Sequence, residues 1–205
     1  MSTFSRGRTL ILTLAVTIGP GQFVSACAPV VLAGAGATAG VAATQERGAK
    51  GALSDTRIRV DINHLWFQKS TELYSSINLQ VQEARVLLSG TVADPQTRVD
   101  AVRLVWQVDG VKEVINEIEN KDDSSLSDWF TDVKIGTELK NKLRFDKAVS
   151  STNYSVEVVN QSVYLIGVAQ DQAELDRVIA HAKDVQYVRR IVNYVRLKDD
   201  PARKS

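Results

Sequence analysis

The segment INLQVQEARVLLSGTVAD (77 to 94) alternates apolar and polar positions. Ile77, Leu79 and Val81 share one side, and after a short polar break Val86, Leu88 and Gly90 share one side again. A period of two is that of a strand with one face in a core, so the segment predicts two half-buried strands joined by a tight turn at Gln82 to Arg85. Asp94 and Pro95 then supply an N-cap and a first helical residue, and Val99, Val102 and Trp106 form the expected face of the next helix. VKEVINEIEN (111 to 120) predicts a closing strand, and upstream Ile58, Ile62, Leu65 and Trp66 recur at helical spacing. The element order is α, β, β, α, β.

The same order returns at a constant offset of 77 residues, in YSVEVVNQSVYLIGVAQD (154 to 171). Leu79 lies over Val156, Val81 over Val158, Val86 over Val163, Leu88 over Leu165, Gly90 over Gly167 and Asp94 over Asp171. The match runs on without a gap to Val111 over Val188, Asn116 over Asn193 and Ile118 over Val195, which is the signature of a duplicated module. In the second copy Asn160 and Gln161 make the turn, and Asp171 with Glu174 forms a capping box. Leu175, Val178, Ile179 and Ala182 mark the later helix, Ile135, Leu139 and Leu143 the earlier one, and VRRIVNYVRL (188 to 197) the last strand. The predicted class is α+β: two tandem αββαβ modules, each a small three-stranded mixed sheet packed on two helices.

The 205 residues are 44% hydrophobic and 24% charged with a formal net charge of +1, enough apolar mass for a core and no basic excess that would indicate nucleic acid. Charge nevertheless separates the copies. From Asp55 to Glu119 there are seven Lys or Arg and ten Asp or Glu; from Trp129 to Lys198 there are eleven and eight. An anionic surface would repel the first module and attract the second, the alternative being an ordinary solvated face. His64 and His181 lie in separate predicted helices, and one cysteine leaves no zinc spacing. With no G-x-S-x-G, P-loop or G-x-G-x-x-G, nothing predicts an enzyme, a metal or a cofactor. Gly90 and Gly167 read as tight backbone approaches, and Asn116 and Asn193 as turn or edge-strand hydrogen-bonding residues.

The only cysteine, Cys27, follows an apolar run over 9 to 18 that is too short to span a bilayer, preceded by Arg6 and Arg8. With Val24, Ser25 and Ala26 before it, Cys27 resembles the acylated residue of a bacterial lipobox. Ala28 rather than Asp follows it, which in the enteric sorting rule directs the protein to the outer membrane. The Ala/Gly-rich stretch beyond it reads as a tether.

The αββαβ order, Gly90 and Gly167 on the second strands, and the endings VKEVIN (111 to 116) and VRRIVN (188 to 193) together resemble the BON domain. One departure is Tyr187-Val188 where the first copy has Gly110-Val111, which leaves the shape of that turn open. A lipobox followed by two such modules resembles the dual BON-domain outer-membrane lipoproteins. The resemblance divides the chain into a signal peptide (1–26), an acylated Cys27 with its tether (27–53), a first BON domain (54–120), a linker (121–128), a second BON domain (129–198) and a polar tail (199–205). It implies a non-enzymatic protein facing the periplasm, whose partner is anionic phospholipid and whose role is outer-membrane integrity. In that family the second module binds the lipid, through its first helix with an aromatic at the start. Here Trp129 and Phe130 occupy that place, beside Lys134, Lys140, Lys142 and Arg144. Packing of the two rings between the modules is the alternative, as is a scaffold role toward envelope protein partners. Nothing in the sequence specifies an oligomeric state.

Overall fold

The computed structural model describes residues 45–120 and 126–203; the expected signal peptide, Cys27, the tether up to residue 44, the linker from 121 to 125 and the last two residues lie outside them. The first module consists of α1 (Gly48–Lys69), the short α2 (Thr71–Ser76), β1 (Ile77–Gln82), β2 (Arg85–Val92), α3 (Pro95–Val105) and β3 (Glu113–Asn120). The second consists of α4 (Leu126–Phe145), a 3-10 turn (Ser151–Asn153), β4 (Tyr154–Val159), β5 (Ser162–Ala169), α5 (Gln172–Lys183) and β6 (Arg190–Leu197), followed by a 3-10 turn at Pro201–Arg203. In each sheet the middle strand pairs antiparallel with its hairpin partner and parallel with the closing strand. The predicted fold class is the one observed. Helix α1 takes in Gly48 to Leu53, ahead of Ser54.

Both hairpin turns run through left-handed residues other than glycine: Glu83 and Ala84 at φ 54° and 62°, Asn160 and Gln161 at 49° and 63°. Two such residues in succession match the twist of a two-residue hairpin but strain a side chain that carries a Cβ. One aspartate per module holds them. Asp55 on α1 accepts the N–H groups of Glu83 (2.9 Å) and Ala84 (2.8 Å), and Asp132 on α4 accepts those of Asn160 and Gln161 (both 2.8 Å). Each carboxylate thus fastens the first helix to the tip of the hairpin. The strands also meet the preceding segment closely at Gly90 and Gly167, where a Cβ would overlap the carbonyl oxygens of Ser76 and Asn153. Asn116 and Asn193 lie on the outer strands β3 and β6, and their side-chain oxygens accept the N–H two residues on, at Ile118 (3.1 Å) and Val195 (3.0 Å).

Helix α3 is rotated from its expected face. Val99 and Trp106 are 57% and 54% exposed, and Ala101, Leu104 and Val105 are buried instead. The cause is Trp66, fully buried on α1, whose indole N–H donates to the Ala101 carbonyl at 3.3 Å. A ring of that size leaves room for a small residue opposite, so α3 presents Ala101 there, with Leu104 and Val105 buried beside it, Val102 partly buried and Val99 turned outward. Of the other expected helix faces, Ile58, Ile62, Trp66, Ile135, Leu139, Leu143, Leu175, Val178 and Ala182 are buried in their cores, whereas Leu65 and Ile179 are half-buried.

The middle strands also depart from expectation, because β2 and β5 are buried on both faces rather than one. Their second faces pack on each other. Leu87 and Ile115 of the first module meet Val159, Tyr164 and Ile166 of the second, with Val192 and Tyr194 against them. The layers therefore run helix, sheet, sheet, helix. Positions that match under the repeat offset meet across this seam: Gln80 donates to Glu157, and Tyr194 donates to Glu117. That is the contact pattern of a pseudo-twofold axis.

Two stability predictions follow from these contacts. Gly90→Ala and Gly167→Ala force a Cβ against fixed backbone and should each destabilise by about 1–3 kcal/mol, the usual cost of overpacking, measured by urea unfolding. Burial raises the Glu157 carboxyl above its ordinary 4.5, so the folded state disfavours its charged form and loses stability as pH rises through that pKa. Glu157→Gln keeps an acceptor for Gln80 and should raise the thermal midpoint at pH 7, with the gain vanishing below about pH 4.5.

Candidate functional site

Helix α4 carries all six residues of the predicted phospholipid site, but their surroundings divide them. Near its N-terminal end Trp129 and Phe130 are 58% and 64% exposed, their rings in edge contact at 4.9 Å and 70°. Neither ring is buried, and Trp129 borders a cleft whose other wall includes Ser75, Ser76, Asn78 and Thr91 of the first module. Val133 is exposed beside them, and one turn beyond Phe130 the Lys134 ammonium lies 4.9 Å over the ring of Tyr187, itself exposed.

Tyr187 is the residue that replaces Gly110 in the repeat. Both are left-handed, at φ 70° and 91°, so the turn keeps its shape and a large side chain accepts the strain, of order 1–3 kcal/mol. The replacement adds an exposed aromatic to the α4 face. Sequence reasoning treated it as a departure from the family pattern; its signal as a functional residue was a ring at a position that needs no side chain.

Lys140 and Arg144 lie on another side of the helix, where they line a cleft with Gln80, Ser151, Thr152 and Ser155. Lys142 does not join either group. Its ammonium is 2.7 Å from Asp184 and 3.8 Å from Glu138, and the hydrogen bond to Asp184 raises its pKa. This cation ties α4 to the end of α5.

The second module's basic excess is also largely engaged. Arg196 pairs with Glu113 (2.8 Å), Arg190 with Glu117 (3.2 Å) and Lys198 with Glu46 (3.5 Å), so three of its cations answer carboxylates from the first half of the chain. Arg203, in the expected tail, reaches Glu83 at 2.6 Å. What remains toward solvent from α4 is Lys134, Lys140 and Arg144.

The histidines take separate roles. His181 bonds Asp146 at 2.8 Å, which holds that carboxyl below its usual range, and His64 is exposed beside Gln68. Among the described residues no group of three or more His, Cys, Asp or Glu converges as metal ligands would.

The BON domain profile matches residues 67–122 and 131–199, one stretch in each of the two modules. The chain belongs to the BON-domain family. Its second BON match begins at Thr131, so Trp129 and Phe130 fall just outside the shared pattern. An uncharacterized protein in the gshII 5' region of Anaplasma centrale is 40% identical over 153 residues, covering 74% of this chain and all of that one. The outer membrane lipoprotein DolP of Haemophilus influenzae is 29% identical over 163 residues, 78% of this chain and 83% of DolP. Osmotically-inducible protein Y of Escherichia coli is 30% identical over 132 residues, 63% of this chain and 64% of its own.

Proposed function

We propose that this BON-domain chain is a non-enzymatic protein of the bacterial envelope, held in the outer membrane by acyl chains on Cys27 and facing the periplasm. It docks on anionic phospholipid through Trp129, Phe130 and Lys134 and supports outer-membrane integrity. The observation that carries this reading is the exposed aromatic cluster at the start of α4, joined by Tyr187 at a strained position that the shared fold fills with glycine. Aromatic rings with a cation at their edge suit the headgroup layer, where the ring meets acyl carbons and the ammonium meets phosphate. The similarity to a protein named as an outer membrane lipoprotein supports the location. Acyl chains make the attachment permanent, and the tethered face then meets headgroups at high effective concentration.

A scaffold role toward envelope proteins is favoured by a different observation, an apolar groove on the first module lined by Pro95, Val99 and Val102, between α3 and β3.

Co-sedimentation separates the two. The chain from Ala28 to Ser205, without acyl chains, should bind phosphatidylglycerol vesicles and not phosphatidylcholine vesicles, and the Trp129→Ala, Phe130→Ala pair should reduce the bound fraction several-fold. Equal binding to both vesicle types, unchanged by the pair, rejects lipid docking and leaves the scaffold reading. Independently, Cys27→Ser in cells should move the protein from the detergent-extracted membrane fraction to the soluble periplasm or to an uncleaved precursor.

A further inference from the structure

Helix α1 is apolar on two opposite sides. Ile58, Ile62 and Trp66 are buried in the first core, while Leu53, Val60 and Phe67, spaced seven residues apart, are each more than half exposed. At about 100° per residue, seven residues return to within about 20° of the starting direction, so the three side chains form one stripe along the outer side of the helix. Tyr74 on α2 lies seven residues further on and is exposed as well. Ser70 ends α1 between them, yet the Tyr74 ring meets that of Phe67 edge-on at 5.8 Å and 85°, so the patch continues. A surface helix normally shows water a polar outer side; this one has a second apolar side left to cover.

The repeat shows that the fold does not require this stripe. The inner residues Ile58, Ile62 and Trp66 match Ile135, Leu139 and Leu143, all apolar, whereas Leu53, Val60, Phe67 and Tyr74 match Phe130, Thr137, Arg144 and Ser151. The second module therefore builds the same helix with polar residues at three of the four outer places. Beside the stripe stand Arg57 and Asp61 on one edge and Thr56 and Asn63 on the other. Arg57 and Asp61 approach each other at 3.7 Å with both side chains exposed, and neither has another ion pair among the described residues. An exposed pair of that kind contributes little within one helix, which leaves both charges available to a partner.

A second copy of this chain answers these features when the two helices lie antiparallel about a twofold axis at Val60. Leu53 of each copy then packs on Phe67 of the other, and Val60 on its own mate, as apolar residues at a seven-residue spacing do in a helix pair. The same operation brings Arg57 of one copy to within about 3 Å, measured along the helix axis, of Asp61 of the other, and sets Thr56 beside Asn63 on the opposite edge. A parallel pair would set Arg57 against Thr56 instead. We infer that the outer side of α1 is an isologous interface through which two copies of this chain associate as an antiparallel helix pair. An anionic lipid surface suits this side poorly, since the first module has seven Lys or Arg against ten Asp or Glu from Asp55 to Glu119. The inference does not depend on lipid docking, although a dimer formed this way carries two copies of the Trp129 and Phe130 face and would bind a surface with the avidity of both.

The test is sedimentation velocity on the chain from Ala28 to Ser205 over a concentration series, where a reversible monomer–dimer equilibrium is expected. Val60→Thr with Phe67→Arg gives the stripe the residues that the second module carries at those places, so the thermal midpoint should hold while association weakens at least tenfold. Arg57→Asp and Asp61→Arg should each weaken it, and the two together, which exchange the charges, should restore it. Under a mild thiol oxidant, a mixture of Leu53→Cys and Phe67→Cys chains should cross-link to each other in preference to themselves, as only the antiparallel pair allows. A monomer at every concentration overturns the assignment. So does a dimer that Val60→Thr with Phe67→Arg leaves within twofold of the parent, or a cross-linking preference for like chains. Loss of phosphatidylglycerol vesicle binding in that stripe variant, with the parent sedimenting as a monomer, also overturns it and gives the stripe to the lipid surface.

Discussion

The packing of one sheet on the other governs the rest of this structure. A three-stranded sheet backed by two helices buries one face and leaves the other open, and an open face of Leu87, Ile115, Tyr164 and Ile166 is too apolar to stand in water. Duplication solves this by giving each sheet the other as its cover. Fully burying a leucine or isoleucine side chain contributes about 1.5–3 kcal/mol, so a handful of such residues outweighs the loss of independent motion between the modules. The pseudo-twofold arrangement follows, since two copies of one surface cover each other best when equivalent positions meet, as Gln80 and Glu157 do.

That seam also decides where charge can act. Its centre is apolar, so the polar side chains of β3 and β6 fall at its rim, where Glu113 takes both Arg85 and Arg196, and Glu117 takes Arg190 and the Tyr194 hydroxyl. Tyr194 is held in its neutral form, its pKa pushed up to about 12 by burial and by Glu117. The opposite net charges of the modules therefore serve their own association first. A lipid surface meets the helical layer, which is why the exposed part of α4, rather than the module's total charge, carries the docking argument.

Much of this was legible in the sequence because duplication supplied an internal control. The element order, the hairpins, the glycines and the core faces of α1, α4 and α5 followed from period and offset alone. The misjudged face of α3 shows what periodicity omits. Val99, Val102 and Trp106 recur at helical spacing, yet the offset would have pointed to Ala101 and Val105, beneath Val178 and Ala182. Spacing misled because Trp66 takes the place opposite Ala101. Asp55 and Asp132 escaped notice for a related reason: an aspartate in a helix looks like solvent-facing charge until the hairpin that it fastens is placed beside it. The burial of β2 and β5 on both faces was visible in β5, where Tyr164, Ile166 and Val168 are apolar at the positions that a one-sided strand would make polar.

The same control applies to function, with the sign reversed. Positions that agree between the copies, Asp55 with Asp132, Gly90 with Gly167 and Asn116 with Asn193, hold hairpins, close approaches and strand edges, and are explained by the fold. Positions that disagree while the backbone stays the same require another cause. Tyr187 for Gly110 keeps a left-handed turn at a steric cost; Trp129 and Phe130 replace Ala52 and Leu53 with two exposed rings. Each of these changes is unfavourable for folding or solubility taken alone, and all involve one helix or its immediate neighbour. Costs of that kind concentrated on one surface of one module are what selection for a binding role leaves behind, because nothing in the stability of the duplicated fold would retain them.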